Sequence, residues 1–228
     1  PHQPRIDVAP WRLSGVVYSA LLNDPGQLRA LGDAVHQPPY RAPPQHPVLA
    51  VRPRNTLCGD GDRIALPASA HAVRTGACLG IVIGHTACRV PVAQALGLVA
   101  GYLVANDLCL PMPGAASHYR PAARHMARDG FCALGADVVA AADAPDPDAL
   151  AISLQLDGQP VWQGSTAGRV RGVAQLLSDI SDFMTLQPGD LLLLGISADA
   201  PLARPGQTMV ASISGIGSLH NSLVAEAA

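Results

Sequence analysis

Residues 79–110 constrain the fold most. They read LGIVIGHTACRVPVAQALGLVAGYLVANDLCL. An apolar strand leads through a turn into a helix-like segment, and the apolar run then breaks on Asn106-Asp107. A carboxylate in such surroundings costs free energy unless it is paired, hydrogen-bonded or bound to a metal. Asp107 is therefore the first candidate functional residue; the alternative reading is a carboxylate that caps a turn.

The rest of the composition narrows the chemistry by what it lacks. No lysine occurs, and the one glutamate is Glu226, in the C-terminal tail. No lysine can form a Schiff base, and no interior glutamate can act as a base or metal ligand. Any anion site must use arginine, backbone N–H groups or hydroxyls. A net charge of -2 gives no electrostatic case for nucleic acid. With 49% hydrophobic and 14% charged residues, a substantial core is expected. The five cysteines, at 58, 78, 88, 109 and 132, form no CxxC pair. Their odd number favours buried thiols in a reducing compartment over a disulfide framework. Zinc-ligand spacing is missing too. With no leader-like apolar segment and no membrane-length apolar run, a soluble cytoplasmic protein is expected.

Along the chain, residues 14–21 read as a first strand. Asp24-Pro25 pairs an N-cap with a first-turn proline and starts a helix to about residue 34. Residues 36–47 carry five prolines and form an extended loop. Residues 48–52 are a short strand, and Gly59-Asp60-Gly61-Asp62 is a turn without calcium-loop spacing. A loop is expected over 114–119 and weak helicity over 120–128. Asp157-Gly158 is a two-residue hairpin signal between strands at 150–156 and 160–163. Val170, Val173, Ala174, Leu177, Ile180, Phe183 and Met184 form a helical core stripe. Strands follow at 191–194, 209–213 and 219–224. The order is mainly β with flanking helices (α+β), without regular βαβ alternation. Two regions are expected: 1–47, a strand, helix and proline-rich loop, and 48–228, a catalytic domain.

Phosphate loops and a GxSxG nucleophile elbow are absent. Arg52, Arg54, Arg120 and Arg128 lie near loops and prolines. Singly each reads as solvated surface; as a group they could hold a multi-carboxylate substrate through bidentate bonds. Asp129 opens a turn or a site wall directly after Arg128. His118 and His125 bracket Tyr119-Arg120-Pro121 and could act as acid or base near neutral pH.

Several runs in consistent order resemble the fumarylacetoacetate hydrolase superfamily over roughly residues 48–225: VIGHTACRV, GYLVANDLCLP, RDGFCALG, LQLDGQPVW, Ser165-Thr166, LLSDISDFMTLQPGDLLLLGIS and MVASISGIGSLHNSLV. PPYRAPP, RPRNT, HYRPA and RDGFC are similar to the decarboxylase half of the decarboxylase/isomerases of homoprotocatechuate (4-hydroxyphenylacetate) breakdown. The resemblance implies a mixed β-sandwich roll with flanking helices, usually dimeric. It also implies a divalent metal, commonly magnesium, and a 2-oxo carboxylate substrate that reacts through an enolate.

The chain departs from that pattern. The family's Glu-x-Glu pair falls at Gly76 and Cys78, leaving Asp107 alone as a ligand, a poor magnesium site. The family's lysine falls at Met126, and its Gly-Thr-Pro reads Gly195-Ile196-Ser197. Decarboxylation of 5-oxopent-3-ene-1,2,5-tricarboxylate, or a close 2-oxo polycarboxylate, is the leading expectation. In it Arg54, Arg120 and Arg128 hold carboxylates, Tyr119 also binds the substrate, and Arg128 and Asp129 join Asp107 as catalytic residues. Thr166 and Ser197 bond the oxo-acid end, and Asp107 positions a water, a metal or an arginine, with Asp129 nearby. Keto–enol isomerisation of the same substrates is the near alternative. A non-catalytic subunit paired with a metal-bearing paralogue is a second hypothesis, and a fumarylpyruvate-type hydrolase the third.

Overall fold

The computed structural model describes residues 15–111 and 123–226. The strands are β1 (Val17–Leu21), β2 (Val48–Arg52), β3 (Leu57–Cys58), β4 (Arg63–Leu66), β5 (Val73–Arg74), β6 (Ala77–Ile83), β7 (Val99–Asp107), β8 (Cys132–Leu134), β9 (Val139–Ala140), β10 (Ala151–Leu156), β11 (Gln159–Ser165), β12 (Leu191–Leu193), β13 (Leu202–Ala203), β14 (Thr208–Ile213) and β15 (Gly217–Ala225). The helices are α1 (Pro25–Leu31), α2 (Val92–Ala95), α3 (Ala123–Met126) and α4 (Val173–Phe183).

Local chemistry explains several boundaries. Asp24 caps α1 through its side chain, accepting from the N–H groups of Gly26 (2.7 Å) and Gln27 (3.3 Å), with Pro25 in the first turn. The helix ends at Gly32, where φ is +49°. It is shorter than its sequence predicts, because residues 32–36 tighten into a 3₁₀ turn. Asp157 and Gly158, both at positive φ, close the β10–β11 hairpin as their pairing predicts.

The helix-like reading of residues 91–105 holds only for its first turn. Past α2 and a short 3₁₀ turn the chain extends as β7. An apolar run buried on both sides looks alike as helix and as strand. Gly101 settles the difference locally: a side chain there would run into the Val139 carbonyl of the neighbouring strand.

One sheet of eight strands has the order β2-β1-β12-β6-β7-β8-β3, with β9 also on β7. The β1–β12 and β3–β8 pairs are parallel and the others antiparallel. A five-stranded sheet has the order β11-β10-β14-β15-β4, and β13 pairs with β5. β1 thus lies inside the large sheet, between β2 and β12. The chain before residue 48 and the chain after it share one hydrogen-bonded ladder.

The main core lies where the two sheets and α4 meet. It is built from Leu79, Ile81, Tyr102 and Val104 of the large sheet, Ile152, Leu154, Ala211 and Leu219 of the smaller one, and Leu177 and Ile180 of α4. The opposite face of the large sheet is buried as well, around Val17, Cys78, Leu103, Ala105, Cys132, Leu191 and Leu193. Side chains alternate along β7, so Asp107 continues the Leu103–Ala105 row onto that second face.

There Ser19 of β1 hydrogen-bonds Asp107, and Arg52 of β2 forms an ion pair with it. β1 stands three places from β7 in the sheet order, which in a flat sheet is roughly 14 Å. No serine spans that gap, so the sheet curls into a half-barrel. Its inner face is apolar except at the mouth, where Ser19, Arg52 and Asp107 converge.

At the outer end of the curl, buried Asp190 accepts from the N–H groups of Val16 (2.7 Å) and Gln187 (2.8 Å), fixing the entry to β12 beside β1. Asp190→Ala strands both donors and is expected to cost about 2 kcal/mol. Urea denaturation measures it, and a loss under about 0.5 kcal/mol would show that these donors find other partners.

Candidate active site

A cavity of about 250 Å³ opens at the mouth of the curl. Asp107, Arg52, Arg74, Cys109, Met126 and Ser197 line it, and Gln27, Ala30 and Leu31 of α1 lie over it. No α1 residue is buried, so the helix forms a cover and not part of the core. The charged lining residues are two arginines and one aspartate, which leaves the cavity net positive.

Asp107 is 2% exposed. Its Oδ2 accepts from Ser19 Oγ, and its Oδ1 meets Arg52 Nη2 as an ion pair. Burial pushes its pKa above the ordinary carboxylate range, partly offset by the Arg52 charge and by the Ser19 and Arg52 hydrogen bonds. Arg52 is equally buried and donates from Nη1 to the Met126 carbonyl (2.7 Å), while its Nε, also buried, has no hydrogen-bond partner. Arg74 donates from Nη1 to the carbonyls of Ala198 (3.3 Å) and Ala200 (2.9 Å), holding the loop that carries Ser197.

Behind this wall stands Arg169. Its Nη2 donates to Ser197 Oγ and to the Ser165 carbonyl, each at 3.2 Å, and its Nη1 pairs with Asp24 at 3.1 Å. One guanidinium thereby ties the Ser197 loop to the N-cap of the covering helix. Desolvation lowers its pKa, and Asp24 counteracts this.

Of the residues singled out from the sequence, Asp107 and Ser197 come together at the cavity. Arg54 is exposed on a 3₁₀ turn after Pro53 and does not line it. Neither Arg128 nor Asp129 lines it: Arg128 Nε donates to the Arg124 carbonyl, and exposed Asp129 accepts from Asn55 Nδ2 at 2.7 Å. Thr166 is buried at the end of the β10–β11 hairpin, where its Oγ1 accepts from the Leu150 N–H (2.8 Å). Its hydroxyl serves the backbone there, away from the cavity lining. Tyr119, Arg120 and His118 lie outside the described residues. Sequence reasoning grouped Arg52 with the loop arginines but did not place it at the site, and it passed over Ser19, Arg74 and Arg169. For Ser19 and Arg52 the signal was available, since Ser19 is a polar residue in the middle of a short apolar strand and Arg52 ends another.

The residues present do not fit a magnesium-type metal. Both Asp107 oxygens are engaged. At Gly76 a side chain would overlap the Asp107 carbonyl and come within 2.8 Å of Ile196. Cys78 and Cys132 lie in the apolar interior of the curl, where burial raises their pKa, and their soft sulfurs are no substitute for the oxygens a hard dication takes. Cys109, at the cavity, is pushed up to about 11 by burial. Among the described residues, no group of three or more His, Cys, Asp or Glu is placed to hold a metal ion.

A curled mixed sheet packed on a second sheet, with a buried Asn-Asp step at the mouth of the curl, defines the fumarylacetoacetate hydrolase fold class. The family model described as "Fumarylacetoacetate (FAA) hydrolase C-terminal" matches residues 16–224, and the chain belongs to that family.

Among its relatives, the 4-hydroxyphenylacetate degradation bifunctional isomerase/decarboxylase of Salmonella dublin is 39% identical over 94% of this chain and 48% of that protein. Its Escherichia coli counterpart is 37% identical over the same shares. The chain spans about half the length of these curated relatives. A solved 2-hydroxyhepta-2,4-diene-1,7-dioate isomerase from Mycobacterium marinum superposes with a TM-score of 0.75 at 27% identity, covering 95% of this chain and 77% of that one. A Pseudomonas aeruginosa fumarylpyruvate hydrolase solved with Mn²⁺ and pyruvate shares the fold, with a TM-score of 0.76 at 24% identity over 92% and 90% of the two chains. Among the described residues no helix is long and apolar enough to cross a membrane.

Proposed function

We propose that the cavity at Asp107 binds a 2-oxo polycarboxylate and that the chain decarboxylates it, with 5-oxopent-3-ene-1,2,5-tricarboxylate as the representative substrate. The observation that carries this reading is the charge of the lining: Arg52 and Arg74 against the single carboxylate of Asp107. Such a cavity attracts anions, and guanidinium groups suit carboxylates in particular. The bifunctional relatives of 4-hydroxyphenylacetate degradation support the substrate class.

The reaction needs only the conjugation of its substrate and a place for charge to go. The bond between C2 and its carboxylate breaks, and CO₂ leaves. The electron pair passes through the C3–C4 double bond to the C5 oxo oxygen, giving a dienolate. Protonation of that oxygen gives 2-hydroxyhepta-2,4-diene-1,7-dioate, the compound for which the Mycobacterium marinum isomerase is named. Tautomerisation passes through the same dienolate, so it is the near alternative for this cavity. Stabilising the developing oxyanion is the demanding part of either reaction. Ser197 is positioned by Arg169 to bond the oxo-acid end, and Asp107 holds an arginine at the cavity.

Turnover is followed as loss of the tricarboxylate's conjugated absorbance together with CO₂ release. The expected result is turnover by the chain alone, with Arg74→Met raising KM about tenfold, a loss in the range of one charged hydrogen bond. Absorbance change without CO₂ would replace decarboxylation by isomerisation. A second reading is a subunit that pairs with a metal-bearing module. It is favoured by the full engagement of both Asp107 oxygens and by the half-length match to bifunctional relatives. Activity that appears only when a metal-bearing paralogue is added would select it.

A further inference from the structure

We propose that the Arg52 guanidinium, clamped by Asp107, is this chain's resident cation at the site, and that it binds the 2-oxo carboxylate without a divalent metal. The inference rests on the substrate class proposed above and adds the identity of the group that meets it.

Three observations carry it. The first is competition for Asp107. Its two oxygens are taken by Arg52 and Ser19, and recruiting a dication to it would bring a second positive charge against a buried guanidinium. The second is steric and chemical. The positions that would complete an oxygen-ligand set are Gly76, whose missing side chain is required by the close approach of the Asp107 carbonyl, and Cys78, a fully buried thiol. A hard dication prefers several oxygens, and neither position supplies one. The third is the placement of Arg52. Its side chain is part of the cavity wall, with Nη1 on the Met126 carbonyl and Nη2 paired with Asp107. Those two anchors hold the planar fork in one orientation, with its positive charge at the wall an anionic ligand would meet. Preorganised donors of this kind favour an oxygen on which negative charge grows.

Oxalate, a planar dianion that imitates the enolate of a 2-oxo acid, is the probe. Its binding to the full chain is measured by calorimetry in EDTA, and then with added Mn²⁺. Manganese binding alone is followed in parallel by the electron-spin signal of the free ion. The expected result is oxalate binding in EDTA that added Mn²⁺ does not strengthen, with no saturable Mn²⁺ site. Oxalate binding that requires Mn²⁺ would overturn the inference and leave the substrate class standing. No oxalate binding under either condition would remove both. Arg52→Met combined with Asp107→Asn removes both charges at similar volume, and it is expected to weaken oxalate at least tenfold. Unchanged affinity in that variant would also overturn the inference. Should the variant fail to fold, the metal comparison on the unaltered chain still decides.

Discussion

Arg52→Met is expected to lower folding stability by about 3–5 kcal/mol, because it leaves Asp107 buried without its counter-charge. Asp107→Asn alone is expected to cost a similar amount, since it strands a buried guanidinium. The double variant is the informative one. Removing both charges at constant volume eliminates the desolvation penalty together with the attraction, and such replacements are often near neutral. The cycle should therefore show two large single losses and a much smaller combined one, a strong coupling between contacting groups. Urea denaturation of the four proteins measures it. The pH dependence of the single variant follows from the Asp107 carboxyl. Burial already raises its pKa, and Arg52 is the principal influence lowering it. Without Arg52 the pKa rises further above the unfolded value of about 3.9. A group raised in the folded state contributes stability that is fully present below the unfolded pKa and is lost as pH rises through the folded one. The deficit of Arg52→Met should therefore be smallest in acid and grow toward neutrality. Single losses below about 1 kcal/mol, or a deficit that grows in acid, would mean that the pair is not buried as described.

Much of the fold was legible because its signals are local. Asp24-Pro25 and the Asp157-Gly158 turn each depend on neighbouring residues and formed where the chain predicts. The α4 stripe holds at Val173, Leu177 and Ile180, whereas Val170 precedes the helix and both it and Phe183 are exposed. The β7 segment misled because the same apolar run satisfies a helix and a doubly buried strand. The Val139 carbonyl and the Val138 side chain, nearly forty residues away, exclude anything larger than glycine at Gly101. The site was legible to the extent that it lies on one strand. Asp107 announces itself as a carboxylate at the end of an apolar run. Its partners are brought by curling, which no local pattern encodes: Ser19 and Arg52 come from strands three and four places away. The choice between Arg52 and Arg54 turned on Pro53. The strand ends there, and the chain tightens into a 3₁₀ turn that leaves Arg54 in solvent while Arg52 stays on the inner face.

Gly76→Ala is expected to cost about 3 kcal/mol, the upper end for forcing one added carbon into a tight site. The position admits no relief. A Cβ there would overlap the Asp107 carbonyl, which is backbone, and would press on Ile196 across the cavity wall. The Gly76 N–H donates to Asn106 Oδ1 (2.8 Å) and its carbonyl accepts from the Asp107 N–H (3.0 Å), so the backbone is pinned on both sides. Gly97→Ala is the control. A side chain there meets nothing within 4 Å, and the change is expected to be neutral or slightly stabilising through the unfolded state. Thermal and urea unfolding of the two variants side by side separate close approach from any general effect of replacing glycine. The comparison bears on chemistry as well as on stability. A glutamate at this position would have to enter the same space before it could ligate anything, so Gly76→Glu should destabilise the chain without creating a metal site. If Gly76→Ala instead stays within about 0.5 kcal/mol of the parent, the strand entry is more open than its contacts indicate. The steric part of the case against a metal at Asp107 would then fall, leaving Arg52 to compete for the carboxylate by charge alone.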